Sequence, residues 1–237
     1  MDTATLSRLN TARRSRKAVA LLTDLDNGEG IVVLEGDGVA VSLQQDVDAA
    51  FRSGKSGAID ADGRRYFINV YMPPTQIVII GAVHISQVLA PMARLAGFDI
   101  RIIDPRTAFA TPDRFVGTEL VADWPVDVLK ALPLDAYTAL VAVTHDPKID
   151  DFPLAEALRV GCFYVGALGS RKTHATRLER LAGQGIDRAQ LETIRAPIGL
   201  AIGAANPAEI AASILAEIIQ ALRSRSLSSA KGDAASF

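Results

Sequence analysis

With 237 residues the chain has room for one medium domain and a smaller companion, and a formal net charge of −2 without a long basic run argues against nucleic-acid binding. Hydrophobic residues make up 49% and aromatics only 5%, so the core must be largely aliphatic, as it is where helices cover a parallel sheet. The single cysteine, Cys162, excludes an intrachain disulfide, and with no long apolar run and the polar start Met1-Asp2-Thr3-Ala4-Thr5 the expectation is a cytoplasmic chain without a membrane span.

Residues 1–74 read as short segments. A helix-like start ends in Arg13-Arg14-Ser15-Arg16-Lys17, a run that solvates a helix more naturally than it grips a phosphate backbone. Apolar stretches follow at Ala18-Val19-Ala20-Leu21-Leu22, Gly30-Ile31-Val32-Val33-Leu34, Val39-Ala40-Val41 and Tyr66-Phe67-Ile68-Asn69-Val70-Tyr71. Turns at Asp26-Asn27-Gly28, Gly36-Asp37-Gly38 and Asp60-Ala61-Asp62-Gly63 separate them, which predicts a small antiparallel α+β domain. Pro73-Pro74 then reads as a short stiff link.

From Gln76 the pattern changes to strand, helix, strand. Strands are expected at 76–80, 99–103, 119–122, 138–143 and 162–166, with helices near 85–96, 125–132, 151–159, 170–182, 187–194 and 207–223. This alternation predicts an α/β fold over 75–225, a Rossmann-like doubly wound parallel sheet, joined to the small N-terminal α+β domain. The polar tail, 226–237, is expected to be disordered.

The first βαβ unit carries the most chemistry. Gln76-Ile77-Val78-Ile79-Ile80 runs into Gly81-Ala82-Val83-His84, and the second strand ends at Ile102-Ile103-Asp104. In such a unit the glycine turn lets the backbone approach a phosphate, and the acid can hold a ribose hydroxyl. Here the three glycine positions of the dinucleotide fingerprint are occupied by Gly81, Val83 and Ser86, so a pyrophosphate would be crowded. Asp104 reads equally as a ribose ligand or as a strand-end turn residue with Pro105.

Three histidines, His84, His145 and His174, fall at strand ends or helix starts, the edge where open α/β sheets bind ligands. They suit a shared polar pocket, with Thr144 beside His145; equally, loop histidines can simply face water. No spacing matches a recognised metal-ligand pattern, and no metal site is expected. The segment Gly166-Ala167-Leu168-Gly169-Ser170-Arg171-Lys172-Thr173 offers two glycines, a capping serine and two cations at a helix start. That composition serves either an anion site or a well-capped helix with solvated charges. Residues 196–205 form an apolar, glycine-punctuated run pressed against a ligand or a neighbouring element, and Asn206-Pro207-Ala208-Glu209 opens the last helix. Cys162, inside an apolar strand, is expected to be core.

Together these stretches resemble the XdhC/CoxI family of xanthine dehydrogenase accessory proteins. The resemblance rests on Gly81-Ala82-Val83-His84, Ile103-Asp104-Pro105-Arg106, Thr144-His145-Asp146, residues 164–174 and residues 197–211, and covers roughly 66–222. It implies a chaperone that binds the molybdenum cofactor, protects it and delivers it to a molybdenum hydroxylase such as xanthine dehydrogenase. A cysteine desulfurase-type sulfur transferase and a second copy of the chain are implied as partners. The implied cofactor contacts are Gly81, Ala82, His84, Asp104, Thr144, His145, Gly166, Gly169, Ser170, Arg171, Lys172 and His174, with no catalytic residue. The chain departs from the family pattern at Val83, at Ala201 where the family has aspartate, and in the first 70 residues, which lack the family's Ser-Gly-Gly-Cys-Val-Glu segment.

Two other readings use the same sheet. One is an NAD(P)-dependent oxidoreductase, against which Val83 and the lack of a Tyr-x-x-x-Lys spacing speak. The other is a ligand-free scaffold that only docks partners. Because the loops after the first, fourth and fifth expected strands converge at the switch point, His84, His145, Arg171 and Lys172 should line one pocket at the carboxyl ends of the strands, and Arg171 should matter more to binding than Arg180, which lies further along the same helix.

Overall fold

The computed structural model describes residues 2–231. Two compact units divide them, one ending at Pro74 and one running Thr75–Arg225.

In the first unit, α1 (Thr3–Arg14) precedes β1 (Val19–Asp24) and β2 (Gly30–Leu34), then α2 (Val41–Ser53), β3 (Gly57–Ala61) and β4 (Arg64–Tyr71). The strands form an antiparallel sheet in the order β2-β1-β4-β3. Val39-Ala40-Val41 does not form the expected strand, because the stretch from Val41 buries Leu43, Val47, Ala50 and Phe51, a spacing that only a helix places on one face. β3 begins before the expected turn and continues through Asp60 and Ala61. The reversal is confined to Asp62 and Gly63, at φ 51° and 73°, the two positive angles that a tight two-residue hairpin requires.

In the second unit β5 (Gln76–Ile80), β6 (Asp99–Ile103), β7 (Glu119–Val121), β8 (Thr138–Ala142) and β9 (Tyr164–Ala167) form a parallel sheet ordered β7-β6-β5-β8-β9. This is the expected α/β Rossmann-like architecture, with its switch point between β5 and β8. Every residue of β5 and β8 is buried, the condition of a sheet covered on both faces. Alternation along β5 divides the core. Ile77 and Ile79 join Leu89 and Ala93 of α3 (His84–Leu95) and Ile214 and Ile218 of α8 (Pro207–Lys231). Val78 and Ile80 face the other way, toward Val128 of α4 (Pro125–Ala131), Leu154 of α5 (Pro147–Arg159), Leu181 of α6 (Arg171–Ala182) and Leu191 of α7 (Arg188–Leu191).

Three helices differ from expectation by three residues or more at an end, and β9 starts at Tyr164 rather than 162, which leaves Cys162 before the strand. α7 stops at Leu191 rather than 194. α5 starts four residues earlier than 151, because Pro147 occupies the first helical position and the Asp146 carboxylate accepts from the Lys148 N–H. α8 runs on to Lys231, since no glycine or proline interrupts 208–231; the expected disordered tail is corrected for 226–231, and 232–237 lie outside the described residues. Among the described residues no helix is long and apolar enough to cross a membrane.

Candidate functional site

The loops that leave β5, β6, β8 and β9 emerge at the carboxyl edge, and the two halves of that edge are built differently. In the β5–β6 half the glycine turn is closed by the protein's own groups. Gly81 takes φ 122°, and a Cβ added there would lie 2.9 Å from Thr144 Cγ2, so glycine is needed for backbone conformation and for contact with the β8 loop. The Gly81 N–H donates to Ile103 O at 2.9 Å, and the buried Ser86 hydroxyl donates back to Gly81 O at 2.5 Å. The Ala82 N–H donates to Asp104 Oδ2 at 2.7 Å, while Arg114 Nη1 donates to Ala82 O at 3.1 Å.

Asp104 is fully buried and saturated. Its Oδ1 accepts from the Arg106 backbone N–H and Nε, each at 2.9 Å, and Oδ2 accepts from Arg106 Nη2 at 2.7 Å besides Ala82. Burial by itself raises its carboxyl, but the Arg106 guanidinium and the two backbone donors outweigh it and hold Asp104 below the usual carboxylate range. The role foreseen for Asp104 as a cofactor contact therefore needs correction. Its four acceptor positions are used inside the protein, and it brackets the turn to the end of β6. The same carboxylate takes the Ala82 N–H that a phosphate would seek. His84, the first residue of α3, is exposed, and its helix starts without a side-chain cap.

In the β8–β9 half the loops leave space. A cavity of about 280 Å³ lies between the starts of α5 and α6, lined by His145, Pro147, Asp150, Asp151, Lys172, Thr173, Thr176, Arg177 and Arg180. His145 sits at φ 65°, a left-handed angle uncommon outside glycine. Thr144 is buried beneath it; its hydroxyl donates to Asp150 Oδ1 at 2.7 Å and accepts from the Asp146 N–H at 3.0 Å. Across the cavity Ser170 caps α6 by accepting from the Thr173 N–H at 3.2 Å, after Gly169 at φ 135°. Arg180 closes a bidentate pair with Asp151, Nε to Oδ2 at 2.6 Å and Nη2 to Oδ1 at 3.0 Å.

Arg177 is 2% exposed and Asp150 1%, and the two do not close. Arg177 Nη2 donates to Leu168 O at 2.9 Å, bracing the β9 loop, while its Nε and Nη1 and Asp150 Oδ2 are buried without a partner. Burial raises the Asp150 carboxyl to about 6 although Thr144 and Arg177 oppose the shift. His174 Nδ1 is likewise buried and unpartnered, and burial together with the Arg177 charge lowers its imidazole.

The expected pocket is thus assembled only in part. His145 and Lys172 line the α5–α6 cavity; His84 and Arg171 are not among its lining residues, whereas Arg180, expected to matter less than Arg171, is part of the wall. Arg171 is exposed at the first position of α6. The room beside Gly166 is filled by protein, since an added Cβ would lie 2.6 Å from both Ile198 Cδ1 and the Tyr164 phenol. Valine at Gly81 or Gly166 would therefore strike the fold before it reached any ligand. Asp150, Asp151 and Arg177 escaped the sequence reading, and Arg180 was ranked below Arg171. Their signal was present in α6, where Lys172, Thr173, Thr176, Arg177 and Arg180 follow helical spacing on one face, a polar stripe that reads as solvated until a partner helix covers it.

The run 196–205 packs on α8. Glu217 Oε2 accepts the Tyr164 hydroxyl at 2.6 Å and the Gly199 N–H at 2.8 Å, and burial followed by Glu217 raises the Tyr164 phenol well above its ordinary value. Asn206 Oδ1 accepts the Ala208 and Glu209 N–H groups, each at 3.0 Å, and Glu209 reaches back to Ala205 N at 2.6 Å. Ala201 is exposed. Burial pushes the Cys162 thiol up to about 12, which leaves it protonated and poorly nucleophilic. No group of three or more His, Cys, Asp or Glu able to hold a metal ion occurs among the described residues.

Comparison with known proteins adds a family. Residues 77–218 match the XdhC Rossmann domain. An uncharacterized Escherichia coli protein, YqeB, is 31% identical over 156 residues, 65% of this chain and 28% of that one. A Bacillus subtilis protein, described as a probable xanthine dehydrogenase subunit, is 31% identical over 155 residues, 65% of this chain and 45% of that one. The molybdenum cofactor insertion chaperone PaoD of Escherichia coli is 30% identical over 149 residues, 62% and 40% respectively. The chain thus spans less than half the length of these curated relatives. A crystal structure described as a xanthine dehydrogenase from Bacillus halodurans superposes with a TM-score of 0.66, covering 94% of this chain and 68% of that one; at 24% identity it speaks for the fold alone.

Proposed function

Because the chain belongs to the XdhC family through its Rossmann domain, we propose that it binds the molybdenum cofactor as cargo and passes it to a molybdenum hydroxylase. The observation that carries the reading is the asymmetry of the carboxyl edge. The glycine turn that would take a dinucleotide pyrophosphate is closed by Asp104, whereas the β8–β9 half offers a cavity with Lys172, Arg177 and Arg180 against Asp150 and Asp151. An anionic, phosphorylated pterin suits that half. Lys172 and Thr173 line it from the first turn of α6, directly after Arg171, and Thr144, His145, Gly169 and Ser170 belong to the loops that precede α5 and α6. No nucleophile is required of a carrier, in keeping with the half-buried, protonated Cys162 thiol.

The test is purification of the full chain from a molybdenum-replete host, followed by oxidation and pterin fluorescence. Bound pterin is expected in the wild-type protein and strongly reduced in Lys172→Ala with Arg171→Ala. Absence of pterin from protein purified in this way would overturn the reading.

A further inference from the structure

α5 and α6 face each other with two Asp–Arg couples side by side, and they behave in opposite ways. Asp151 and Arg180 close a bidentate pair. Asp150 and Arg177 are more deeply buried yet stay apart, with Asp150 Oδ2, Arg177 Nε and Arg177 Nη1 all without partners. Removing both charges from water and then leaving them apart is costly, since only contact or hydrogen bonding returns the desolvation free energy. Both residues border the 280 Å³ cavity. A guest suited to this wall accepts two hydrogen bonds on one side and donates one on the other.

We propose that the α5–α6 cavity is a phosphate-selective site in which Arg177 donates to the anion and Asp150 accepts the proton that a phosphate group carries and a sulfate lacks. Hydrogen phosphate and a singly protonated phosphate monoester present both acceptor oxygens and a P–O–H donor. At neutral pH sulfate has acceptors only and would set a second anionic oxygen against Asp150 Oδ2. A phosphate monoester loses its second proton at about pH 6, close to the pH at which burial places Asp150, so one proton can be held between the two groups at little cost. Lys172 supplies a further cation from the first turn of α6. Asp150 is faced by Asp146 and Asp151 on its own helix, by Thr144 and His145 after β8, by Lys172, Arg177 and Arg180 on α6, and more remotely by Arg106 after β6. The inference deepens the cargo reading by naming the group that is held, and rests on that reading only for the identity of the phosphate's owner.

The test is calorimetric titration of the full chain with inorganic phosphate, phenyl phosphate and sulfate. Wild-type protein should prefer both phosphates to sulfate by roughly tenfold or more, the worth of one charge-assisted hydrogen bond. Asp150→Asn, near-isosteric and able to donate, should bring that ratio toward one by gaining sulfate. Arg177→Gln should lose both anions; should it fail to fold, the Asp150→Asn ratio still decides. Equal binding of phosphate and sulfate by wild-type protein, or an unchanged ratio in Asp150→Asn, overturns the site. Preference for inorganic phosphate with no binding of phenyl phosphate assigns the site to the free ion and overturns its link to a phosphorylated cargo. Selectivity for both phosphates in protein that carries no pterin supports the site and removes only the cargo reading.

Discussion

The two halves of the carboxyl edge share one sheet and solve opposite problems. After β5 and β6 every polar group of the Gly81–Ala82 turn is spoken for, and Asp104 accepts from two residues at once. After β8 and β9, a buried carboxylate and a buried guanidinium are left unsatisfied beside open space. Saturation marks the first half as structure, since a buried acid with four donors holds the crossover in place. Unsatisfied burial marks the second as a place for a guest, because the fold tolerates a cost there that its own contacts do not offset.

The strongest way to break this contrast is Asp104→Ala. It leaves the Arg106 guanidinium and the Ala82 N–H without their acceptor, and unfolding by denaturant should show a loss of about 3–5 kcal/mol. A loss below about 1 kcal/mol, the scale of an exposed pair, would mean that Asp104 is not a structural bracket.

The second measurement sharpens the open half. The folded-state pKa of Asp150 is raised from 3.8 to about 6, so its contribution is fully present below the unfolded value and lost as pH rises through the folded one. Between about pH 4 and 7 the wild-type protein should lose about 3 kcal/mol from this group, following a shift of two units. Asp150→Asn should have a flatter stability profile across the same window. Parallel profiles for the two proteins would show that Asp150 ionises freely and that its half of the edge is not strained.

The smallest expected signal is a null one on the closed half. Titration with NAD or NADP should give affinity no better than about 1 mM, less than about 4 kcal/mol of standard binding free energy. Micromolar affinity would reopen the glycine turn as a nucleotide site and favour an oxidoreductase.

Much of the second unit was legible because its signals are local. The four aliphatic residues Ile77–Ile80, and Ile100, Ile102 and Ile103 within 99–103, predict strands, and both end where the structure ends them. The N-terminal unit was less legible. Val39-Ala40-Val41 has strand composition over three residues, and only the longer window to Phe51 reveals helical spacing. At the site, His145 and Lys172 could be found from their position at strand and helix ends. Arg177 and Arg180 could not, because a cation on an amphipathic helix is usually solvated. Gly166 was misjudged for a related reason: a glycine after a strand signals close approach, but the approaching group, Ile198, lies in another loop.

The sequence by itself determined the order of the elements in the second unit, the aliphatic layers of its sheet and hence the switch point, since hydrophobic period and turn chemistry act over a few residues. Only the tertiary structure decided that Asp104 would bond to a turn 22 residues earlier, and that Asp150 and Arg177 would be buried near each other without touching. Those outcomes depend on strand register and on how two crossover helices pack over the sheet. Burial then sets the strength of every charge and hydrogen bond at the edge, and no local pattern in the chain encodes it.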